Sequence, residues 1–177
     1  TDPSSNVILA ISSVSTGACP TTTGVFQPTI GAGCAPEGPA VVKFSPTGTR
    51  IWATYFKDST CNATTNFKQA YNASVCCDNN GNIFLTGTTY GNAFPTSAGC
   101  FQPTKAGVMS DVYIGSLDPN GQLRWCTYYG GSTPTITNGL QEGFDIRCDN
   151  SGNVYVTGLT RYSDFPVLNA YQTATKG

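Results

Sequence analysis

The hydrophobic pattern of this chain consists of short apolar runs that alternate with polar positions and end at Gly, Pro, Asp or Asn. Two of these runs are near copies, CDNNGNIFLTG at residues 77–87 and CDNSGNVYVTG at residues 148–158. Asp-x-x-Gly-Asn before a β-rich run is typical of a tight hairpin turn, in which the Asp carboxylate caps the turn and Gly adopts a positive φ. The recurrence indicates a repeat protein.

A second pattern also occurs twice, at residues 39–56 and 111–131. It consists of a strand, a turn with Pro and Gly, and a second strand. The second strands share three matched pairs: Trp52 and Trp125, Thr54 and Thr127, Tyr55 and Tyr128. The loops between the patterns share an aromatic-Gln pair, in FQPT at residues 26–29 and 101–104.

The periodicity predicts nine strands and no helix. A divergent copy of the turn at residues 2–6 precedes a leading strand at residues 7–9. Eight further strands are expected near residues 40–45, 49–56, 70–77, 82–89, 111–117, 122–130, 142–148 and 153–160. We therefore expect an all-β fold of small antiparallel sheets that lie side by side.

The repeat divides the chain into three parts. Residues 1–38 are interpreted as the terminal strand and Cys-bearing loop of a preceding blade, residues 39–110 as the first full unit and residues 111–177 as the second. The fold predicted is propeller-like, with four-stranded antiparallel blades, about two full blades plus a leading strand, and disulfide staples. Two blades cannot close a propeller, which needs at least four.

These elements resemble the bacterial beta-propeller repeat family of the SBBP type. Its pattern of turn, V-Y-V-T-G strand, Phe-Pro loop, aromatic-Gln anchor, L-D-P-x-G turn and W-x-T-Y-x-G-G strand is found at residues 149–158, 165–166, 170–172, 111–121 and 125–131. The first unit departs from it, because FKD at residues 56–58 replaces Y-G-G. Proteins of this family are typically large and secreted or surface-attached. The resemblance implies a scaffold or adhesive role rather than a reaction.

Charge excludes several classes of partner. Only 11% of the residues are charged and the net charge is -1, so the chain has no basic surface for nucleic acid or an acidic membrane. No apolar run reaches the ~20 residues of a membrane helix, so membrane insertion is not expected.

The cysteines favour disulfides and an extracellular or cell-surface location. The chain has eight Cys and no His, and it lacks the Cys-x-x-Cys pairs of structural zinc sites. We expect Cys126 to pair with Cys148 across an antiparallel strand pair, and Cys19 with Cys34 across one loop. The remaining four have three possible pairings that the sequence leaves open: Cys61, Cys76, Cys77 and Cys100.

Candidate binding positions are few. Asn62 and Asn72 lie in N-glycosylation sequons. Trp52, Trp125 and Tyr128 are candidates for stacking on sugars, although their repetition in register favours packing between blades. The Asp-Asn-x-Gly-Asn turns offer oxygen ligands to a calcium ion, but without the bidentate Glu of an EF-hand, and turn formation explains them better.

Catalysis is not expected. Without His, the Ser-His-Asp and Cys-His arrangements are excluded, and most of the ten acidic residues fall at predicted turns or at repeat positions in strands. No metal site and no cofactor are expected. We predict an extracellular structural repeat protein, a subunit or segment of a cell-surface fibre or adhesin, whose partners are copies of itself or neighbouring repeats. The alternative is a fragment of a secreted carbohydrate-binding or enzymatic β-propeller, with glycans as partners.

Overall fold

The computed structural model describes residues 1–13, 19–30, 38–58, 70–137 and 139–174. Within these residues the chain forms nine strands and no helix: β1 (Val7–Ser13), β2 (Gly38–Phe44), β3 (Arg50–Tyr55), β4 (Ala70–Cys77), β5 (Ile83–Thr89), β6 (Asp111–Leu117), β7 (Leu123–Tyr129), β8 (Gln141–Cys148) and β9 (Val154–Thr160). The predicted all-β class is confirmed. The leading strand is longer than predicted and continues to Ser13.

The strands form three antiparallel sheets. The first sheet has the order β1-β2-β3, the second β4-β5-β6-β7 and the third β8-β9. The expectation of two four-stranded blades plus a leading strand is therefore wrong in its grouping, and the described residues form no closed propeller. Connection length does not decide this grouping, because the connections at residues 14–37 and 90–110 stay within one sheet although they are longer than those at residues 56–69 and 130–140, which lead to the next sheet. The sheets instead pair each Asp-headed strand, β1 or β5, with the hairpin that follows it in the chain.

The predicted turns before β5 and β9 have the expected geometry. The carboxylate of Asp78 accepts hydrogen bonds from the backbone N–H groups of Asn80 and Asn82, at 2.9 and 2.8 Å, and Asp149 makes the same pair of contacts. Gly81 adopts a φ of 77°. Ser5 occupies the equivalent position before β1 and adopts a φ of 60°, which is strained for a residue with a side chain.

The main core lies between the first and second sheets. It includes Phe94, which stacks on Tyr113 with ring centroids 4.3 Å apart. The third sheet packs on the other side of the second sheet, where Ser74 donates a hydrogen bond to the Asp145 carboxylate and the Asn79 side chain bonds that of Asn150 at 3.0 Å. The three sheets are thus stacked in chain order, with the second sheet in the middle.

Candidate functional site

Two faces meet where the first sheet packs on the second. We call the side of each sheet that is directed toward the next sheet its forward face, and the opposite side its rear face. The forward face of the first sheet is formed by Val41, Lys43, Trp52 and the following Phe56, and the rear face of the second by Ile83, Leu85, Tyr113, Leu117 and Cys126. All of these side chains are buried. In this repeat, therefore, the forward face of one sheet packs against the rear face of the next.

Trp52 holds the turn between β6 and β7 against the first sheet. Its indole N–H donates a hydrogen bond to the carbonyl of Pro119 at 2.9 Å, and Lys43 Nζ donates to the same oxygen at 3.1 Å. Gly121 lies against the indole, since a Cβ built there would be 3.1 Å from the ring. The backbone N–H of Phe26 donates to the Gly121 carbonyl at 2.9 Å. The tryptophan and the loop before β2 therefore form a seat for a Pro-x-Gly turn.

The aromatic-Gln pair fastens each loop to the outer strand of its sheet. Gln102 N–H donates to the Thr127 hydroxyl at 2.9 Å, the Gln102 carbonyl accepts from Tyr128 N–H at 3.0 Å, and its side-chain oxygen accepts from Gly130 N–H at 3.0 Å. Gln27 makes the same three contacts with Thr54, Tyr55 and Lys57. The recurrence of the aromatic-Gln pair indicates that the pair has a structural role, but the sequence does not reveal that Gln attaches the loop to the outer strand.

The outer-strand tyrosines complete the same attachment. The Tyr128 hydroxyl accepts a hydrogen bond from Phe94 N–H at 2.9 Å, and the Tyr55 hydroxyl accepts one from Cys19 N–H at 2.7 Å. Cys19-Pro20 thus occupies the place of Phe94-Pro95 in the next unit. Sequence reasoning missed this equivalence, because it treats Cys19 only as a disulfide partner.

The forward face of the second sheet is open only along its outer part, because Phe84, Thr86 and Val112 on the same face are buried. Ile114, Trp125 and Tyr129 correspond to Val41, Trp52 and Phe56, but all three are partly exposed. An apolar groove of about 460 Å³ lies between this face and β9, lined by Val112, Ile114, Tyr129, Val154, Val156 and Phe165. All seven residues of β5 are buried, whereas none of the seven of β9 is. In the second sheet, the hairpin β6–β7 pairs with the edge of β5. Within the described residues, no hairpin pairs with the equivalent edge of β9.

The rear face of the first sheet is also open in part, at the start of β1, whereas Ala40, Val42 and Ala53 on the same face are buried. Val7 and Leu9 are 47% and 44% exposed, whereas their counterparts Ile83 and Leu85 are fully buried. The molecule therefore presents one forward face and one rear face of the same kinds that pack together in its interior.

A third loop anchor lies next to the open groove. The side chain of Gln172 donates to the Ala174 carbonyl at 2.7 Å, as that of Gln102 donates to Thr104, but no described strand lies outside it. Tyr171 is fully exposed. A depression of about 160 Å³ lined by Phe165, Val167 and Gln172 lies at the position equivalent to the one that Tyr128 fills against the Phe94 loop.

The carboxylates of Asp164 and Asp58 lie at equivalent contacts between a Phe-Pro loop and the chain that follows an outer strand. Asp164 belongs to the loop, whereas Asp58 belongs to the chain after the strand. Asp164, in the Phe-Pro loop, accepts hydrogen bonds from Ser132 and Thr133; the Ser132 side chain and these backbone N–H groups lower its pKa. Asp58 takes the place of Gly131 and is directed at the other Phe-Pro loop. It is buried, neither oxygen makes a hydrogen bond of good geometry with the described residues, and burial raises its pKa to about 7.

The cysteines do not form the expected staples. All six in the described part of the chain are free thiols. The predicted facing of Cys126 and Cys148 is wrong, because β7 and β8 lie in different sheets. Instead, Cys76 contacts Cys148 between the second and third sheets, and burial together with that neighbour raises the pKa of Cys76. Cys77 and Cys100 are partly buried, Cys19 is buried, and Cys34 and Cys61 lie outside the described residues.

The candidate sugar-stacking residues are not equivalent in the structure. Trp52 and Tyr128 are buried in the interface between sheets, at 5% and 1% exposure. Trp125 is partly exposed beside a polar groove of about 290 Å³ that is lined by Asp78, Asn80, Asn82, Arg124 and Asn150. Asn62 lies outside the described residues, and for Asn72 only the backbone is described, in β4.

Other kinds of site find little support. The described residues contain no group of three His, Cys, Asp or Glu side chains that could bind a metal ion. Nor do they include a helix long and apolar enough to cross a membrane. No protein-family model matches the chain, and no curated protein is significantly similar to it. The resemblance to the bacterial beta-propeller repeat therefore stays a prediction.

Proposed function

We propose that this chain is an extracellular structural repeat protein, a subunit or segment of a cell-surface fibre or adhesin, that assembles through its β-rich ends. One observation carries the proposal. The forward face of the second sheet and the rear face of the first are partly open, at Ile114, Trp125 and Tyr129 and at Val7 and Leu9, and they match the two faces that pack together inside the molecule.

The two open faces are different surfaces at opposite ends of the stack of sheets. A contact between different surfaces of identical subunits is heterologous, and it produces a ring or an open filament rather than a closed dimer. The exposed edge of β9 adds unpaired backbone groups of the kind that recruit another strand. Low charge supports the same proposal, because little electrostatic repulsion opposes stacking of neighbouring copies.

The extracellular location is proposed from the eight cysteines and from the resemblance to secreted repeat proteins. The partners proposed are copies of this chain or neighbouring repeats of the same kind. Neither a cofactor nor catalysis by this chain is part of the proposal.

Electron microscopy of the purified 177-residue chain, without an added partner, tests the proposal. We expect filaments or rings whose repeat corresponds to one subunit. Monodisperse particles of single-chain mass, at all concentrations and after prolonged incubation, would contradict assembly.

A second candidate, a fragment of a carbohydrate-binding or enzymatic β-propeller, is favoured by the position of Trp125. A partly exposed indole beside amide and carboxylate side chains is a common way to bind sugars. Titration with a panel of oligosaccharides, followed by tryptophan fluorescence, tests it with Trp125→Ala as the control. Saturable quenching of fluorescence that Trp125→Ala abolishes would favour this candidate. If no oligosaccharide quenches the fluorescence, the structural role is favoured instead.

A further inference from the structure

We propose that the groove beside β9 receives the β2–β3 hairpin of a second copy, and that β9 with its loop replaces β1 with its loop in that copy. The resulting sheet would have the order β8-β9 from one copy and β2-β3 from the other. The proposal rests on the proposed function and specifies the contact by which copies assemble.

The chain itself contains the complete form of this arrangement. In the second sheet the hairpin β6–β7 pairs with β5, whose seven residues are all buried, and places its turn on Trp52. The third sheet has counterparts of β4 and β5 in β8 and β9, and Trp125 of the second sheet holds the position of Trp52, but the described residues provide no hairpin beside β9. The groove therefore has the shape and apolar lining of a site for a hairpin of this repeat.

The β2–β3 hairpin has the features that this site requires. Its turn at residues 45–48 has Pro46 and Gly48 where the seated turn has Pro119 and Gly121. Gly48 has a φ of 82°, and a Cβ built on it would meet nothing within 4 Å, so this turn is free to reach Trp125 of another copy. Thr54 and Tyr55 match the residues that Gln102 and the Phe94 loop hold.

Two segments of the chain compete for the same position on this hairpin. We call the turn at residues 2–6, β1 and the loop at residues 19–30 the leading segment, and the turn at residues 149–153, β9 and the loop at residues 161–174 the trailing segment. Both consist of an Asp-headed turn, a strand and a loop with an aromatic-Gln anchor, Phe26-Gln27 in the leading segment and Tyr171-Gln172 in the trailing segment. Exchange of equivalent elements between identical chains is a common route to assembly, because the incoming element makes interactions similar to those of the element that it displaces.

The leading segment fits its position less well. Ser5 holds a left-handed backbone conformation that Gly152 supplies in the trailing segment, and Cys19 replaces the Phe165 of the Phe-Pro loop. The trailing segment also brings β8, which would give the first sheet the fourth strand that it lacks. These differences favour the exchanged arrangement.

The exchange keeps a carboxylate next to Lys43. Lys43 of the hairpin forms a buried ion pair with Asp2 of the leading segment, with Nζ and the carboxylate 2.9 Å apart. Asp149 holds the same position in the trailing segment, and its carboxylate is accessible to solvent. It would take the place of Asp2, so Lys43 would not be left buried without a partner, which is a costly state.

The groove is tested in the full-length chain by analytical ultracentrifugation. Ile114 is partly exposed on the floor of the groove, so Ile114→Lys leaves the monomer folded but places a charge where the hairpin would pack. We expect the critical concentration for assembly to rise at least tenfold. Val108→Lys is the matched control, since Val108 is 69% exposed and does not line the groove, and it should assemble like the wild type.

The exchange is tested by two substitutions with opposite effects. Ser5→Gly removes the strain in the leading segment and should slow assembly about fivefold. Asp2→Asn weakens the ion pair with Lys43 while it keeps an acceptor for the turn, and it should accelerate assembly about tenfold. Unfolding measured by circular dichroism checks that both variants remain folded.

The outcomes separate the two proposals. If the wild-type chain stays monomeric, the proposed function fails and the exchange with it. If the wild type assembles but Ile114→Lys assembles equally well, the groove is not the contact and only this inference is overturned. If Ile114→Lys blocks assembly but Ser5→Gly accelerates it, β1 stays in place in the interface and the exchange is wrong.

Discussion

The indole of Trp52 and the carbonyl of Pro119 are joined by a hydrogen bond of 2.9 Å that crosses from the first sheet to the turn of the second. Trp125, the counterpart of Trp52 one repeat later, makes no such bond within the described residues and is partly exposed. The same residue type therefore has two environments, one occupied by a turn and one open.

This difference predicts unequal effects of truncation. Trp52→Ala should lower the free energy of unfolding by about 3–5 kcal/mol, because it removes a buried aromatic side chain and leaves the seat of the turn empty. Trp125→Ala should cost about 1 kcal/mol or less in the monomer, because the indole is not enclosed. Urea unfolding of both variants measures the two values. Equal losses would contradict the assignment of Trp125 to an open seat.

The loop anchors provide a second matched comparison. Gln102→Ala should destabilise the monomer by about 1–3 kcal/mol, because it leaves the N–H of Gly130 without its acceptor and frees the loop from the outer strand. Gln172→Ala should change stability by less than about 0.5 kcal/mol, since Gln172 is exposed and its side chain donates, within the described part of the chain, to a carbonyl of its own loop. Thermal unfolding of the pair tests whether the anchor acts through the outer strand.

Asp58 predicts that stability falls between about pH 4 and pH 7. Burial raises its pKa from 3.8 to about 7, while the Ala93 amide and the lysines Lys57 and Lys105 offset part of this increase. Between these values the folded protein binds a proton that the unfolded chain releases, so the stabilisation is complete below about pH 4 and is lost as the pH approaches 7. The difference amounts to about 4 kcal/mol.

Asp58→Asn is the control for this titration. An amide does not ionise, so the variant should lose the part of the fall that Asp58 causes and should exceed the wild type at pH 8. The fall that remains is the one expected from Asp111, whose pKa burial also raises. Asp2 does not interfere with the measurement: burial alone would raise its pKa, but hydrogen bonds from Asn6 and Lys43 lower it to about 2. A wild-type profile that rises from pH 4 to 7 would show that another group dominates.

Cys76 and Cys148 should be the first described cysteines to be joined under oxidising conditions. Their thiols are in contact, and a bond between them would link the second sheet to the third. Diamide oxidation of the folded protein, followed by digestion and mass spectrometry, should yield this pair before any that contains Cys126, which is fully buried. Cys76→Ser should remove the product. Early formation of a disulfide that contains Cys126 would contradict the buried position of this residue in β7.

Much of the local structure was determined by the sequence. The turns at Asp78 and Asp149 follow from Asp-x-x-Gly-Asn, because the carboxylate caps the turn and Gly tolerates the positive φ. Strand positions follow from alternation of apolar and polar residues, and the nine strands are found where the pattern indicates. Both features depend on contacts between residues close together in the chain.

The grouping of strands into sheets was decided only by the tertiary structure. Local spacing predicts that Cys126 and Cys148 lie on facing strands, but β7 is the outer strand of one sheet and β8 the first strand of the next, so Cys148 contacts Cys76 instead. The exposure of Trp125 likewise differs from that of Trp52 although their local sequences match. Both outcomes depend on which sheet lies next to the residue, which local periodicity does not encode.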